Sequence, residues 1–143
     1  MLRSFLSVIA GIAVLTLASF AIEAAVNPLL LRLFPETLPG PDALQSNLWV
    51  RALTFAYGLM CVAAGGYVTA GIARRMPVKH AAAMGVLQVC LTIMAMQSPV
   101  GNHASRLVWI VTAILTLPAA ILGGVINGGR KPASGLEKAS ASA

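Results

Sequence analysis

Charged residues divide the chain into apolar stretches of similar length. After Arg3 the sequence carries no charge from Ser4 to Ile22, nineteen residues, until Glu23. Arg51 and Arg74 bracket 22 uncharged residues, and Arg106 and Arg130 bracket 23. Between them Ala81 to Gln97 forms a shorter apolar run of 17 residues. A helix needs about 20 mainly apolar residues to cross the hydrocarbon core of a bilayer. The pattern therefore predicts four spans, at about 5–25, 52–73, 81–97 and 107–127. The expected fold is all-α: an integral membrane four-helix bundle occupying residues 1–131, with residues 132–143 as a disordered cytoplasmic tail rich in Ala, Ser and Gly.

The basic start followed by an apolar run also has the outline of a secretory signal. Nineteen uncharged residues exceed the about 7–15 of a signal's apolar region. Glu23 and Val26 also spoil the small-residue cleavage site that Ala21–Ala25 would otherwise offer. The first run is read as a retained span.

Orientation follows from the charges between the stretches. Arg74-Arg75-Met76-Pro77-Val78-Lys79-His80 is short and strongly basic, which marks a cytoplasmic loop under the positive-inside rule. With both termini cytoplasmic, seven basic residues lie inside (Arg3, Arg74, Arg75, Lys79, Arg130, Lys131 and Lys138). Three lie outside: Arg32, Arg51 and Arg106. Arg74, Arg75 and Lys79 serve as a topology signal and can also attract anionic lipid headgroups.

Residues 26–48 form the long external loop. Its prolines are expected to interrupt the helix, and Leu29, Leu30, Leu31, Leu33 and Phe34 are too apolar for a wet loop. The expectation is a separate short helix lying at the interface, with Arg32 reaching the headgroups. Trp49 and Trp109 mark the aromatic belt. Ser98 to Arg106 is a short outer turn.

Composition agrees with this pattern. Of 143 residues, 58% are apolar and 10% charged, with a formal net charge of +6. Soluble domains carry about 25% charged residues, so a soluble fold of this size would lack the polar surface to cover its core. The basic residues flank apolar runs rather than forming one polar domain, which argues for membrane lipids as partners and against nucleic acid. Cys61 and Cys90 sit inside apolar stretches and read as small inert side chains.

Small residues at four-residue spacing indicate how the helices pack. Gly58, Val62, Gly66 and Ala70 form one stripe in the second span, with Cys61, Gly65 and Thr69 beside it. Ala120, Gly124 and Gly128 repeat it in the fourth span, next to Gly123 and Asn127, and Pro118 favours a kink there. Ala10, Gly11, Ala13, Ala18, Ala21 and Ala25 do the same in the first. Inside lipid, helices associate by close van der Waals contact, which small residues permit. The stripes suit packing within one bundle, a homo-oligomer or an unidentified membrane partner.

Candidate chemistry is sparse. Glu23 lies near the outer end of the first span, where it either reaches water or serves a proton or cation path. Gln88 lies within the third span, in reach of Thr69 or Tyr57 of the second and Thr112 or Thr116 of the fourth. These are the two intramembrane polar candidates. His80 and His103 fall on opposite sides, and no HExxH, GxSxG, CxxC or P-loop pattern occurs. The expectation is no catalytic, cofactor-binding or metal-binding residue, no cofactor, and no enzymatic activity.

Ala64-Gly65-Gly66-Tyr67-Val68-Thr69-Ala70-Gly71-Ile72-Ala73-Arg74-Arg75-Met76-Pro77, preceded by Ala56-Tyr57-Gly58-Leu59 and followed by His80-Ala81, resembles small, uncharacterised bacterial inner-membrane proteins with four spans. Pro118-Ala119-Ala120-Ile121-Leu122-Gly123-Gly124 is similar as well. The resemblance covers spans two to four. It implies a multi-pass protein of a bacterial inner membrane and carries no site residues with it. The resulting expectation is a small structural or accessory protein acting by helix–helix association. A transporter subunit and a non-catalytic subunit of a membrane enzyme are the alternatives.

Overall fold

A computed structural model describes residues 2–73, 76–97 and 106–129. These residues form five helices: α1 (Leu2–Leu33), α2 (Pro41–Ser46), α3 (Leu48–Ala73), α4 (Pro77–Met96) and α5 (Arg106–Gly129). Four of them, all but α2, are long and apolar enough to cross a membrane. Arg74 and Arg75, most of the 98–106 turn and the 132–143 tail lie outside the described residues.

The long helices pack as a bundle around α3, which contacts α1, α4 and α5; α4 also packs on α5, while α1 touches α4 only lightly. One buried residue from each long helix meets at the centre: Leu15, Val62, Met84 and Ala120. The outside is apolar, with Leu17 69%, Met60 72% and Ile114 64% exposed. Against water such a surface would aggregate, whereas against lipid tails it carries no penalty. Among the described residues the few buried polar side chains are hydroxyls: Ser7, Thr69, Thr92 and Thr116.

Backbone approach at small residues closes the bundle, and each crossing is reciprocal. Between α1 and α3, a methyl group on Gly65 would stand 2.7 Å from the Gly11 carbonyl oxygen, and one on Gly11 would stand 2.8 Å from that of Gly65. Between α3 and α5, a methyl on Gly66 would collide with the Ala120 carbonyl, and one on Gly123 with the Ala63 carbonyl. Between α4 and α5, a methyl on Gly85 would lie 2.9 Å from the Ala120 Cβ, and one on Gly124 2.6 Å from the Ala81 Cβ. Ala70 is buried in α3. Gly128 makes only ordinary contact, 3.6 Å to Pro77.

Two expectations about the 26–48 segment are corrected. The helix does not break at the Asn27-Pro28 pair: α1 runs through Pro28 to Leu33. Proline removes one donor, here the one that would bond the Ala24 carbonyl, but its ring is exposed and the turn beyond it is held by tertiary contact. Leu30 buries against Leu38 and Val50, with Val26, Leu31, Ala43 and Leu44 around them. Bonds from the Phe34 amide to the Leu30 carbonyl (3.0 Å) and from the Leu38 amide to the Phe34 carbonyl (2.8 Å) carry the winding on. Residues Leu29 to Leu33 are thus the end of α1, not a separate interfacial helix. The separate short helix is α2, with Pro41 in its first turn. At 32 residues and about 1.5 Å of rise each, α1 is about 48 Å long. That exceeds a hydrocarbon core of about 30 Å, so its last turns and α2 form a cap on one end of the bundle.

At the other end, α4 starts at Pro77, four residues before the expected span, with Lys79 in its first turn. Met76 precedes it in a left-handed conformation (φ 50°, ψ 56°). Its carbonyl accepts from the Lys79 amide at 3.1 Å, and His80 Nδ1 lies 3.1 Å away.

Gly66→Leu or Gly123→Leu must push two backbones apart. Either is expected to destabilise the bundle by at least the about 1–3 kcal/mol of an overpacked core, read as a lower thermal midpoint of the solubilised chain and poor accumulation in the membrane. Met76→Gly removes left-handed strain at an exposed position and is expected to stabilise by about 0.5–1 kcal/mol in the same assay.

Candidate functional site

The helices grip at the level of the paired glycines and separate toward the α1–α2–α3 cap. Two turns before Gly65 and Gly66, a methyl on Gly58 would meet nothing within 4 Å. Gly58 therefore does not pack a helix crossing, contrary to the regular spacing of its stripe. It floors a cleft of about 330 Å³. All four long helices contribute walls: Leu15 and Ser19 from α1, Arg51 to Val62 from α3, Gln88 and Thr92 from α4, and Val108 to Thr116 from α5.

The threonines reach this position because they continue the packing stripes. Thr112 and Thr116 stand eight and four residues before Ala120, on the same face of α5. Each satisfies its hydroxyl on its own helix: Thr112 donates to the Val108 carbonyl (2.8 Å), Thr116 to that of Thr112 (2.7 Å), and Thr92 to that of Gln88 (2.9 Å). Thr69, deeper in α3, donates to the Gly65 carbonyl at 2.9 Å. Back-bonding of this kind lets a hydroxyl enter an apolar interior without an unmet donor.

Gln88 lies beside two of the threonines expected within its reach. The hydroxyls of Thr69, Thr112 and Thr116 donate within their own helices. The Tyr57 phenol is engaged with Glu23 and Thr54. Gln88 is half-buried and lines the cleft together with Thr112 and Thr116. Glu23 does not join it: the carboxylate meets Tyr57 across the α1–α3 contact and is absent from the cleft walls. The two intramembrane candidates thus belong to different places.

The group that the sequence reading missed is Arg51, expected only as an external topology residue. It sits in the first turn of α3 and lines the cleft, half-buried, with its Nη2 buried and without a hydrogen-bond partner among the described residues. The signal was its register. Arg51, Thr54, Gly58, Val62, Gly65 and Gly66 fall at helical spacing, so the charge opens the same face that packs the bundle. Trp109, expected at the interface, is half-buried in the cleft wall. Trp49 lies on the cap, edge to face with Phe34 at 5.5 Å. Cys61 is buried, Cys90 exposed, and both are free thiols. Among the described residues no three His, Cys, Asp or Glu side chains converge.

Comparison with protein-family models, with curated proteins and with solved structures gives no match.

Gly58→Leu is expected to behave opposite to Gly66→Leu. The side chain has a cleft to enter, and the helix gains the about 1 kcal/mol that glycine forfeits. The thermal midpoint should hold or rise.

Proposed function

We propose that the chain is a small accessory protein of a bacterial inner membrane, with both termini cytoplasmic, that acts by helix–helix association and not by chemistry of its own. The observation that carries this reading is the one-sided packing of α1. Its inner face meets α3 and, lightly, α4. Its outer face leaves Ala13, Leu17, Phe20, Ala21 and Ala24 exposed along about three turns. The close-packing glycines Gly11, Gly65, Gly66, Gly85, Gly123 and Gly124 are all engaged inside the unit. Association with a membrane partner or a second copy therefore falls to this outer surface, where small and large side chains alternate as in packed membrane helices. The basic loop with Arg74, Arg75 and Lys79 supports the orientation through charge asymmetry and would bring anionic headgroups to the cytoplasmic side.

A second reading, a subunit of a small-molecule transporter, is favoured by one specific observation: a cleft within the bundle with a cationic wall.

The association reading is tested by native mass spectrometry of the full chain released from its own membrane. An assembly of fixed stoichiometry is expected. Ala13→Phe with Ala21→Phe should abolish it while leaving the thermal midpoint of the bundle unchanged. A 14.8 kDa species alone, before and after the change, would refute it. For orientation, a fluorescent protein fused after residue 143 should mature in the cytoplasm.

A further inference from the structure

We propose that the cleft is a binding site for an anionic amphiphile, a phosphate or carboxylate head on an apolar chain, with Arg51 as the partner of the charge. The site is built within one chain, so it stands or falls independently of the association reading.

Two observations point to the sign of the ligand. Arg51 brings a guanidinium whose Nη2 is buried and without a hydrogen-bond partner among the described residues, at the end of the cleft nearest the cap. A buried cation in a low-dielectric site is costly unless an anion completes it, and the planar fork of arginine matches carboxylate and phosphate oxygens. Among the described residues no carboxylate lines the cleft to take that role. The cleft also lies at the end where α3 and α5 begin, Leu48 and Arg106 being their first residues. The positive ends of these two helices are met there by the negative ends of α1 and α4, so the sign of the ligand rests on Arg51 and on the walls around it.

The remaining walls and the surroundings set the shape. Gln88 and Ser19 supply neutral polar groups for the other oxygens of a head. Beside the cleft runs a second cavity of about 320 Å³ that shares Arg51, Phe55 and Val108 as walls. Its other walls are wholly apolar, including Leu48 and Leu107, which are 81% and 69% exposed. One guanidinium thus stands at the border between a largely apolar cleft that carries a few polar groups and a groove with none besides its own. A free inorganic anion would use only the first; an amphiphile uses both, with its head at Arg51 and its chain along Leu48 and Leu107.

The test uses the full chain in nanodiscs of zwitterionic lipid, with a Trp49→Phe change so that Trp109 in the cleft wall is the reporter. Dodecyl phosphate is titrated, with inorganic phosphate and dodecyltrimethylammonium as comparisons. Dodecyl phosphate should give a saturable change in Trp109 emission and raise the thermal midpoint. Arg51→Gln should weaken binding at least about tenfold, the loss of a charge-assisted hydrogen bond, and Arg51→Lys should keep part of it. Gly58→Phe should block binding by filling the cleft while the bundle melts no lower. Undiminished binding to Arg51→Gln, or equal binding of the cationic amphiphile, would overturn the proposal. Equal affinity for inorganic phosphate would overturn the amphiphile in favour of a free anion.

Discussion

Inside a bilayer, apolar side chains gain nothing by leaving lipid for one another, so a four-helix unit must be held by something other than the hydrophobic effect. Here it is held by backbone touching backbone. Two Gly-Gly pairs do most of it. Gly65 and Gly66 are consecutive, hence about 100° apart around α3. The first faces Gly11 of α1 and the second faces Ala120 of α5. Gly123 and Gly124 repeat the arrangement on α5, the first against Ala63 of α3 and the second against Ala81 of α4. A helix with adjacent glycines can be gripped from two directions at one level. Two such helices, α3 and α5, suffice to tie all four together. The cost in helix propensity is about 1 kcal/mol for each glycine, and it is offset by dispersion contacts and Cα–H···O approaches that no larger residue would allow.

Fixing the closest approach near one level dictates what happens elsewhere. Straight helices that touch at a crossing diverge away from it. On the side of the α3–α4 turn the divergence is short, and Pro77 and Ala81 fill it against Gly124 and Gly128. On the side of the cap it is longer, and the space between Leu15, Gly58, Gln88 and Thr116 opens into the cleft. The cleft is therefore a geometric consequence of the glycine crossings, and its polarity follows from the residues that continue the packing stripes into it. Threonines suit that position because each donates to a carbonyl of its own helix one turn back. They add polarity without demanding a partner.

Much of this architecture was legible in the sequence. Charges at Arg51, Arg74, Arg106 and Arg130 bracket apolar runs, and a bilayer converts run length into helix length. The small-residue stripes were also visible, but spacing alone could not assign them. Gly66 and Gly58 occupy the same stripe and meet opposite surroundings, a carbonyl in one case and open space in the other. That difference comes from where the neighbouring helix crosses, which is a property of the pair. The path of residues 26–33 was hidden for a similar reason. Pro28 is a local breaker, and the local rule was overridden by Leu30 burying against Leu38 and Val50. Gln88 was found as a polar residue of the interior, and two of the threonines expected near it, Thr112 and Thr116, line the same cleft. Arg51 was seen as a boundary charge when its register already placed it on the buried face.

Arg51 and Glu23 show how the same inventory of charges can be resolved in two ways. Glu23 stands near the Tyr57 phenol, a neutral donor on the neighbouring helix. The Arg51 Nη2 is shielded from solvent and unpartnered among the described residues. Stability does not call for that arrangement. A leucine at the same place would extend the apolar groove of Leu48, Ala52 and Leu107 without desolvating a charge. A charge that the fold does not require, facing a cleft that the glycine crossings leave unfilled, is best explained by what enters that space.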